Sequence, residues 1–179
     1  MSLDVPFERK AELGDRLNNL RGVVMTCYAQ VEFALTDMSI RCSYLECYRG
    51  IVPKFPRRMG EKIKAILRYA RSEGPLNIHK EEIEVAINHI TNFTELRDLM
   101  GHARAHIDIS LTHHVVYFEM YRIVKDGHIE FIRDETNIDS LSKRTEALVN
   151  YTHAMIDLFA KMYEGLPPRY STTGPIPEI

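Results

Sequence analysis

Several features that mark specialised proteins are scarce or missing in this sequence. It has no tryptophan, and its three cysteines, Cys27, Cys42 and Cys47, form no CxxC pair. So few cysteines argue against a disulfide framework or a zinc knuckle, and we expect buried or inert thiols. Apolar runs such as residues 23–25 are far shorter than the roughly 20 residues that span a bilayer. The first residues lack the pattern of a secretory signal, so a cytoplasmic protein without membrane contact is expected.

Neither positive nor negative charge dominates the chain. The 23 basic and 25 acidic residues leave a formal charge of -2, which provides no general attraction to nucleic acid. One segment departs from this balance, because between residues 49 and 71 a single acid, Glu61, accompanies eight basic residues: Arg49, Lys54, Arg57, Arg58, Lys62, Lys64, Arg68 and Arg71. Such a strip can collect phosphate groups. It can equally be a solvated helix face preceded by a basic loop.

Apolar residues recur mainly with helical spacing. Spacings of three and four predict a long first helix, with Asp4 as its cap and Pro6 in its first turn, through Leu13, Leu17, Leu20, Val24, Tyr28, Val31, Leu35 and Met38. Three further helices are predicted, at about 59–70, from Asn77 or His79 to about Gly101, and at about 139–163. Gly101 is expected to end its helix in a left-handed conformation.

A different period follows the third helix. Residues 114–124 are rich in β-branched and aromatic side chains, and an Asp-Gly turn at 126–127 precedes a second candidate strand at 128–133. The sequence therefore predicts an all-α fold, a bundle of four or five helices with one β-hairpin inserted before the last helix. We expect one domain over 1–165 and a flexible C-terminal tail over 166–179.

One short segment carries the most chemical interest. Arg97 lies seven residues after Ile90 and four after Phe93, which predicts that it projects beside the core-facing stripe of its helix. A buried guanidinium needs a carboxylate, a neighbouring subunit or a bound anion. His102 follows the expected helix end, where its ring can face a cleft. Arginine can hold a phosphate and histidine can exchange a proton, so the two form a minimal pair for cleaving a phosphodiester.

The stretch Arg-Asp-Leu-Met-Gly-His at 97–102 resembles the Arg-polar-x3-His motif of HEPN domains (higher eukaryotes and prokaryotes nucleotide-binding). Asp98 suits the polar position of that motif. The segments at 29–37 and 55–63, and the late helix, are also similar in layout to members of this superfamily. The similarity of layout covers roughly Asp15 to Tyr163, although the motif itself is short.

This resemblance implies a homodimer in which two copies of the motif face one cleft. It implies a metal-independent endoribonuclease of toxin or defence type that needs no cofactor and that an antitoxin or other partner protein can regulate. His102 would transfer the proton, Arg97 would stabilise the phosphoryl charge, and Asp98 would orient one of these two. Lys54, Arg57 and Arg58 are the candidates for holding the RNA substrate.

Several alternatives stand beside this reading. Glu32 could neutralise Arg97 in a purely structural ion pair, and His102 could bond a carbonyl at the helix end. The domain could be catalytically silent and serve in dimerisation or in binding nucleotide, RNA or protein. A DNA-binding regulator is a third possibility, without a recognisable helix-turn-helix. Clustered histidines after Gly101 invite a metal site, which we do not expect because the predicted helix ends between them.

Overall fold

The computed structural model describes residues 7–109, 114–124 and 127–168. These residues form five α-helices and three β-strands: α1 (Phe7–Ser43), α2 (Met59–Arg71), α3 (Lys80–Ile90), α4 (Thr94–His102), β1 (Arg104–Ile109), β2 (His114–Ile123), β3 (Ile129–Thr136) and α5 (Ile138–Tyr163). Short 3-10 turns lie at Glu46–Tyr48, Asn77–His79 and Thr91–Phe93. Among the described helices, none has the length and apolar character needed to cross a membrane.

The prediction of an all-α fold is wrong. The strands form an antiparallel sheet in the order β1-β2-β3, so the fold is mixed α/β, with helix dominant. The two strands of the predicted hairpin are present, with Val116 opposite Thr136 and Ile123 opposite Ile129. The strand β1 was not predicted. Its six residues alternate between polar and apolar, but an alternating pattern of this length is weak evidence for a strand until a neighbouring strand supplies hydrogen bonds.

The predicted helices are present, except that one of them is divided into two. α1 runs uninterrupted through Gly14 and Gly22, as predicted. The single helix expected from residue 77 or 79 to 101 is instead α3 and α4, separated by the turn at Thr91–Phe93. The predicted cap Asp4, the first-turn residue Pro6 and the Asp126 turn position lie outside the described residues. The boundary between 1–165 and 166–179 stays a prediction, since the structure describes only 166–168 of that tail.

The chain divides into two compact units. The first comprises Met1–Cys27 and Phe93–Asn150, so it holds the start of α1, all of α4, the sheet and the start of α5. The second comprises Tyr28–Asn92 and Tyr151–Ile179. The described core of the first unit consists of buried apolar side chains, chiefly Leu13, Leu17, Val24, Leu96, Leu99, Met100, Val116, Phe118, Ile138 and Leu141. The second is packed around Val31, Leu35, Met38, Ile66, Leu76, Ile83, Ile87, Met155, Phe159 and Met162.

The loop between α2 and α3 depends on a buried tyrosine. Tyr48 is 2% exposed, and its hydroxyl oxygen accepts a hydrogen bond of 2.8 Å from the Leu76 N–H. Burial raises the pKa of Tyr48 to about 12, so the hydroxyl stays neutral. Gly74 has a φ of +153°, and a Cβ atom there would lie 2.7 Å from the Tyr48 ring. Tyr48 therefore closes the core of the second unit.

We expect Gly74→Ala to lower the free energy of unfolding by about 1 to 3 kcal/mol, because the added carbon meets a buried ring at a strained φ. Gly22→Ala is the matched control. It lies inside α1 with nothing within 4 Å of the new Cβ, so it should raise the stability by about 0.4 to 1 kcal/mol. Urea unfolding of both variants measures the difference. Equal effects in the two variants would contradict the proposed steric cause.

Candidate active site

The last helix before the sheet brings the three motif residues together. Arg97 Nη1 lies 2.9 Å from Asp98 Oδ1 and 2.9 Å from His102 Nε2. Arg97 and His102 are five residues apart in α4, so their Cα positions do not share one face of the helix. The long arginine side chain spans this offset. The result is a hydrogen-bonded cluster of a cation, a carboxylate and an imidazole.

The direction of these hydrogen bonds defines the state of His102. A guanidinium can only donate, so Nε2 of His102 is the acceptor of the bond from Arg97. A ring nitrogen that accepts carries no proton. This hydrogen bond therefore requires the tautomer of His102 that carries its proton on Nδ1, with the lone pair of Nε2 directed at Arg97. Within the described chain, Nε and Nη2 of Arg97 have no hydrogen-bond partner.

The cluster lies at the surface and not in the core. The side chains of Arg97 and Asp98 are 35% and 29% exposed, and His102 is exposed. The prediction that Arg97 projects from or beside the core-facing stripe used spacings to Ile90 and Phe93, although the 3-10 turn at Thr91–Phe93 interrupts that helical register. The buried side chains of α4 are Leu96, Leu99 and Met100. Arg97 is at the margin of this stripe, where both solvent and ligands can reach it.

Gly101 does not end the helix. α4 continues to His102, and the following Ala103 turns into an extended conformation with φ -78° and ψ 142°. Gly101 has a different role, because a Cβ atom there would lie 3.2 Å from Met25 Sδ. Glycine thus lets α4 approach α1 closely. His102 is the last residue of the helix and not the first residue after it.

Arg21 of α1 positions the end of α4, a role that was not predicted from the sequence. Its Nε donates to the Met100 carbonyl and its Nη2 to the Ala103 carbonyl, both at 2.8 Å. The last carbonyls of a helix lack partners within the helix and carry partial negative charge, so a guanidinium there satisfies both needs. A signal was present, since Arg21 lies four residues after Leu17 and three before Val24, both buried. A charged residue on a buried stripe requires specific partners.

Arg97 and Glu32, the two members of the alternative structural ion pair, each have other partners within their own unit. Glu32 Oε1 instead lies 2.7 Å from Lys62 Nζ, and Arg97 is bonded to Asp98 and His102. Within the described residues, the hydrogen bond of the His102 ring joins Nε2 to Arg97, and no carbonyl accepts a bond from this ring.

The basic strip separates into paired and unpaired cations. Three of its eight members form ion pairs: Arg49 with Glu46, Lys62 with Glu32, and Arg71 with Glu84. Four others, Lys54, Arg57, Lys64 and Arg68, line one cavity in the second unit. Arg58 precedes α2, and its backbone N–H binds Glu61. The candidate substrate-holding residues Lys54, Arg57 and Arg58 therefore belong to the second unit, whereas Arg97, Asp98 and His102 belong to the first.

The histidines that follow α4 do not assemble a metal site in the described chain. His106 lies in β1, where its ring stacks on Tyr117 with a centroid distance of 4.9 Å. His114 begins β2, and His113 lies outside the described residues. No group of three potential ligands among His, Cys, Asp and Glu occurs within residues 7–109, 114–124 and 127–168. Cys27 and Cys42 are buried and Cys47 is exposed, with no disulfide among them.

The arrangement at the end of α4 can bind an anion and exchange a proton. Arg97 has two nitrogen atoms available for a phosphate, and His102 supplies a neutral imidazole beside it. Comparison with protein-family models, curated proteins and solved structures gives no match to this chain. The functional assignment therefore depends on the chemistry of these side chains.

We expect Arg21→Met to lower the free energy of unfolding by about 1.5 to 3 kcal/mol, because two carbonyls lose charged donors. Arg16→Met is the matched control from the same helix. Its partner is Asp139 at 3.3 Å, and the two side chains are 47% and 71% exposed, so the loss should stay below about 0.5 kcal/mol. Urea unfolding compares the variants. An Arg16 effect as large as the Arg21 effect would refute the role assigned to Arg21.

Proposed function

We propose that this chain is a metal-independent endoribonuclease of the kind that the resemblance of residues 97–102 to HEPN domains implies. One observation carries the proposal: a single short helix ends with Arg97 and His102 in direct hydrogen-bond contact at the surface. The motif pairs a phosphate-binding cation with a proton-transfer group, and the pairing in space supports that chemistry. The proposal depends on this cluster and does not require an all-helical fold.

The proposed reaction begins when a phosphate of RNA binds Arg97. Nε and Nη2 of the guanidinium offer two parallel donors to the phosphoryl oxygens. As Arg97 turns toward the phosphate, its bond to His102 breaks, and the lone pair of Nε2 becomes available. Nε2 then accepts the proton of the ribose 2'-hydroxyl. Substrate binding and activation of the base are thereby the same movement of one side chain.

The 2'-oxygen forms a bond to phosphorus while the bond from phosphorus to the 5'-oxygen breaks. The products are a 2',3'-cyclic phosphate end and a 5'-hydroxyl end. Arg97 stabilises the charge that accumulates on the phosphoryl oxygens. The leaving 5'-oxygen needs a proton, which the second His102 of a homodimer donates from its imidazolium form, with a proton on both ring nitrogens. This division of acid and base between two copies is a physical reason for the proposed homodimer.

Asp98 has a positioning role in this proposal. Its carboxylate binds Nη1 of Arg97 at 2.9 Å and keeps the guanidinium at the end of α4 before and after substrate binding. It does not take a proton from the substrate. Lys54, Arg57 and Arg58 remain predicted substrate-holding residues. Because they lie in the other unit, the cleavage proposal does not depend on them.

The proposed cellular setting follows from the same resemblance. An RNA-cleaving domain of this kind belongs to a toxin or defence system of the cytoplasm, where an antitoxin or partner protein restrains it. A catalytically silent binding module is the second candidate. It is favoured by the way Arg97, Asp98 and His102 satisfy one another, since such a closed cluster also suits a structural joint at a helix end.

The decisive experiment is cleavage of total RNA by the purified protein in excess EDTA. We expect wild-type protein to yield fragments with 2',3'-cyclic phosphate ends. Arg97→Ala and His102→Ala should each reduce the rate by at least about 10² to 10⁴-fold, the usual contribution of a positioned proton-transfer group. Asp98→Asn should retain part of the activity, because an amide oxygen can still bind Arg97.

Two neighbouring residues provide matched controls. His106→Ala and Arg104→Ala remove the same side-chain types within four residues of the site, on exposed positions of β1, and should leave the rate unchanged. Circular dichroism and urea unfolding verify that all variants fold. Intact RNA with every protein, together with a stability loss in His102→Ala, would reject the nuclease and favour the structural joint. Activity abolished by EDTA would also reject the metal-independent mechanism.

A further inference from the structure

A cavity in the second unit has no role in the proposed cleavage reaction. It has a volume of about 830 Å³ and lies between the loop at residues 52–57 and the helix α2. This volume is within the range of roughly 300 to 1,000 Å³ that is typical of sites for small molecules. Part of the cavity lining is apolar and includes Val52, Pro53 and Ala65. Its shape and lining thus suit a ligand that has both an apolar and a polar part.

The charged lining of this cavity is almost entirely positive. Lys54, Arg57, Lys64 and Arg68 line it, all four are exposed, and none forms an ion pair within the described chain. Other cations of the same segment do find carboxylates, as Lys62 does with Glu32 at 2.7 Å. Of the eight cations between residues 49 and 71, three are thus paired with carboxylates, and the four that line the cavity form no ion pair within the described residues. Such a cluster is an attractive site for an anion with several charges.

The one acid in the lining, Glu61, offsets only part of this positive charge. Glu61 Oε2 accepts hydrogen bonds from the backbone N–H groups of Arg57 and Arg58, at 3.0 and 3.2 Å. These two bonds hold the pKa of Glu61 below its ordinary value. The carboxylate therefore secures the start of α2 and the end of the loop. It places Arg57 at the cavity, and its single negative charge against four cations leaves the lining with a net positive charge.

The positions of the cations along α2 reinforce this conclusion. Lys64 and Arg68 are four residues apart, so they are neighbours on one face of the helix. Like charges at this spacing destabilise a helix, and a bound anion removes that cost. Lys54 and Arg57 come from the loop, so the four cations approach the same space from two directions. This arrangement can surround a compact polyanion.

Aromatic side chains add a second type of contact. Phe55 is 37% exposed and lies at the cavity, where its ring face can receive a planar group. Tyr69 is 3% exposed and forms part of the wall. Burial raises the pKa of Tyr69 to about 12, so it adds no negative charge near the phosphates at neutral pH. Base stacking on an exposed aromatic ring is a common contribution to nucleotide binding.

We propose that this cavity binds a free nucleotide with two or more phosphate groups. The phosphates contact Lys54, Arg57, Lys64 and Arg68, and the base stacks on Phe55. Four cations match about two phosphate groups, since a terminal phosphate carries roughly -1.5 to -2 charges at neutral pH. This inference gives Lys54 and Arg57 a small ligand as an alternative to the RNA substrate predicted for them. It goes beyond the proposed cleavage activity and does not depend on it.

Isothermal titration calorimetry of the full chain in EDTA tests the proposal, with ADP, GDP, CDP and UDP as probes. We expect at least one of these to bind about tenfold or more tightly than its monophosphate, because affinity rises with the number of phosphate contacts. The double variant Lys64→Ala/Arg68→Ala should weaken binding by about tenfold or more. The matched control Lys80→Ala/Lys161→Ala removes two exposed cations of the same unit outside the cavity and should bind normally.

Phe55→Ala separates the two parts of the site. It should weaken binding of the nucleotide but leave binding of pyrophosphate unchanged, since only the nucleotide has a base to stack. Equal binding of nucleotide and pyrophosphate, with no effect of Phe55→Ala, would overturn the proposal in favour of a simple anion site. A short single-stranded RNA that displaces the nucleotide and binds more tightly would overturn it in favour of an RNA groove.

The failure of this proposal can be distinguished from the failure of the proposed nuclease. His102→Ala should bind the nucleotide as the wild type does, and the Lys64→Ala/Arg68→Ala protein reports on the cavity alone. Loss of binding in His102→Ala, with folding intact, would contradict the independence of the two sites. Binding of no diphosphate to the folded wild-type protein would reject the nucleotide site whatever the result for RNA cleavage.

Discussion

The structure of the first unit depends on how the carbonyl groups at the end of α4 find partners. A helix leaves its last carbonyls without bonds, and at this end the guanidinium of Arg21 binds those of Met100 and Ala103. The bonds hold the point at which the chain changes from helix to strand. His102 is the last residue of the helix and Arg104 the first of β1, so the same contact places both the candidate site and the edge of the sheet.

Close packing supports this electrostatic contact. Gly101 lets α4 approach α1, since any side chain would press on Met25 at 3.2 Å. Leu96, Leu99 and Met100 then bury the inner face of the helix, and Arg97 is left at its margin. The buried side chains of α4 thus position the exposed cluster of Arg97, Asp98 and His102. An apolar face anchors α4, and the polar residues beside it are free to exchange partners with a ligand.

In the second unit, too, charged side chains that support the fold each have a specific partner. Lys62 is nearly buried and is matched by Glu32, which offsets the cost of removing its charge from water. Glu61 is occupied by backbone donors of Arg57 and Arg58. Lys54, Arg57, Lys64 and Arg68, which form no ion pair within the described residues, line one cavity. Electrostatics in this unit therefore separates residues that stabilise the fold from residues that are available to bind.

The sequence by itself determined the long helix α1, the final helix and the two strands of the hairpin, because apolar residues recur at helical spacing in the helices and β-branched and aromatic residues are concentrated in the strands. It also singled out Arg97, Asp98 and His102, whose contact is local and lies within six residues of chain. Tertiary structure decided the rest. The strand β1 needed the hydrogen bonds of β2, the break at Thr91–Phe93 shifted the register of α4, and Arg21 found its carbonyls about 80 residues away. The tertiary structure also decided which cations of the basic strip are paired, because a cation forms an ion pair only where the fold brings a carboxylate near it.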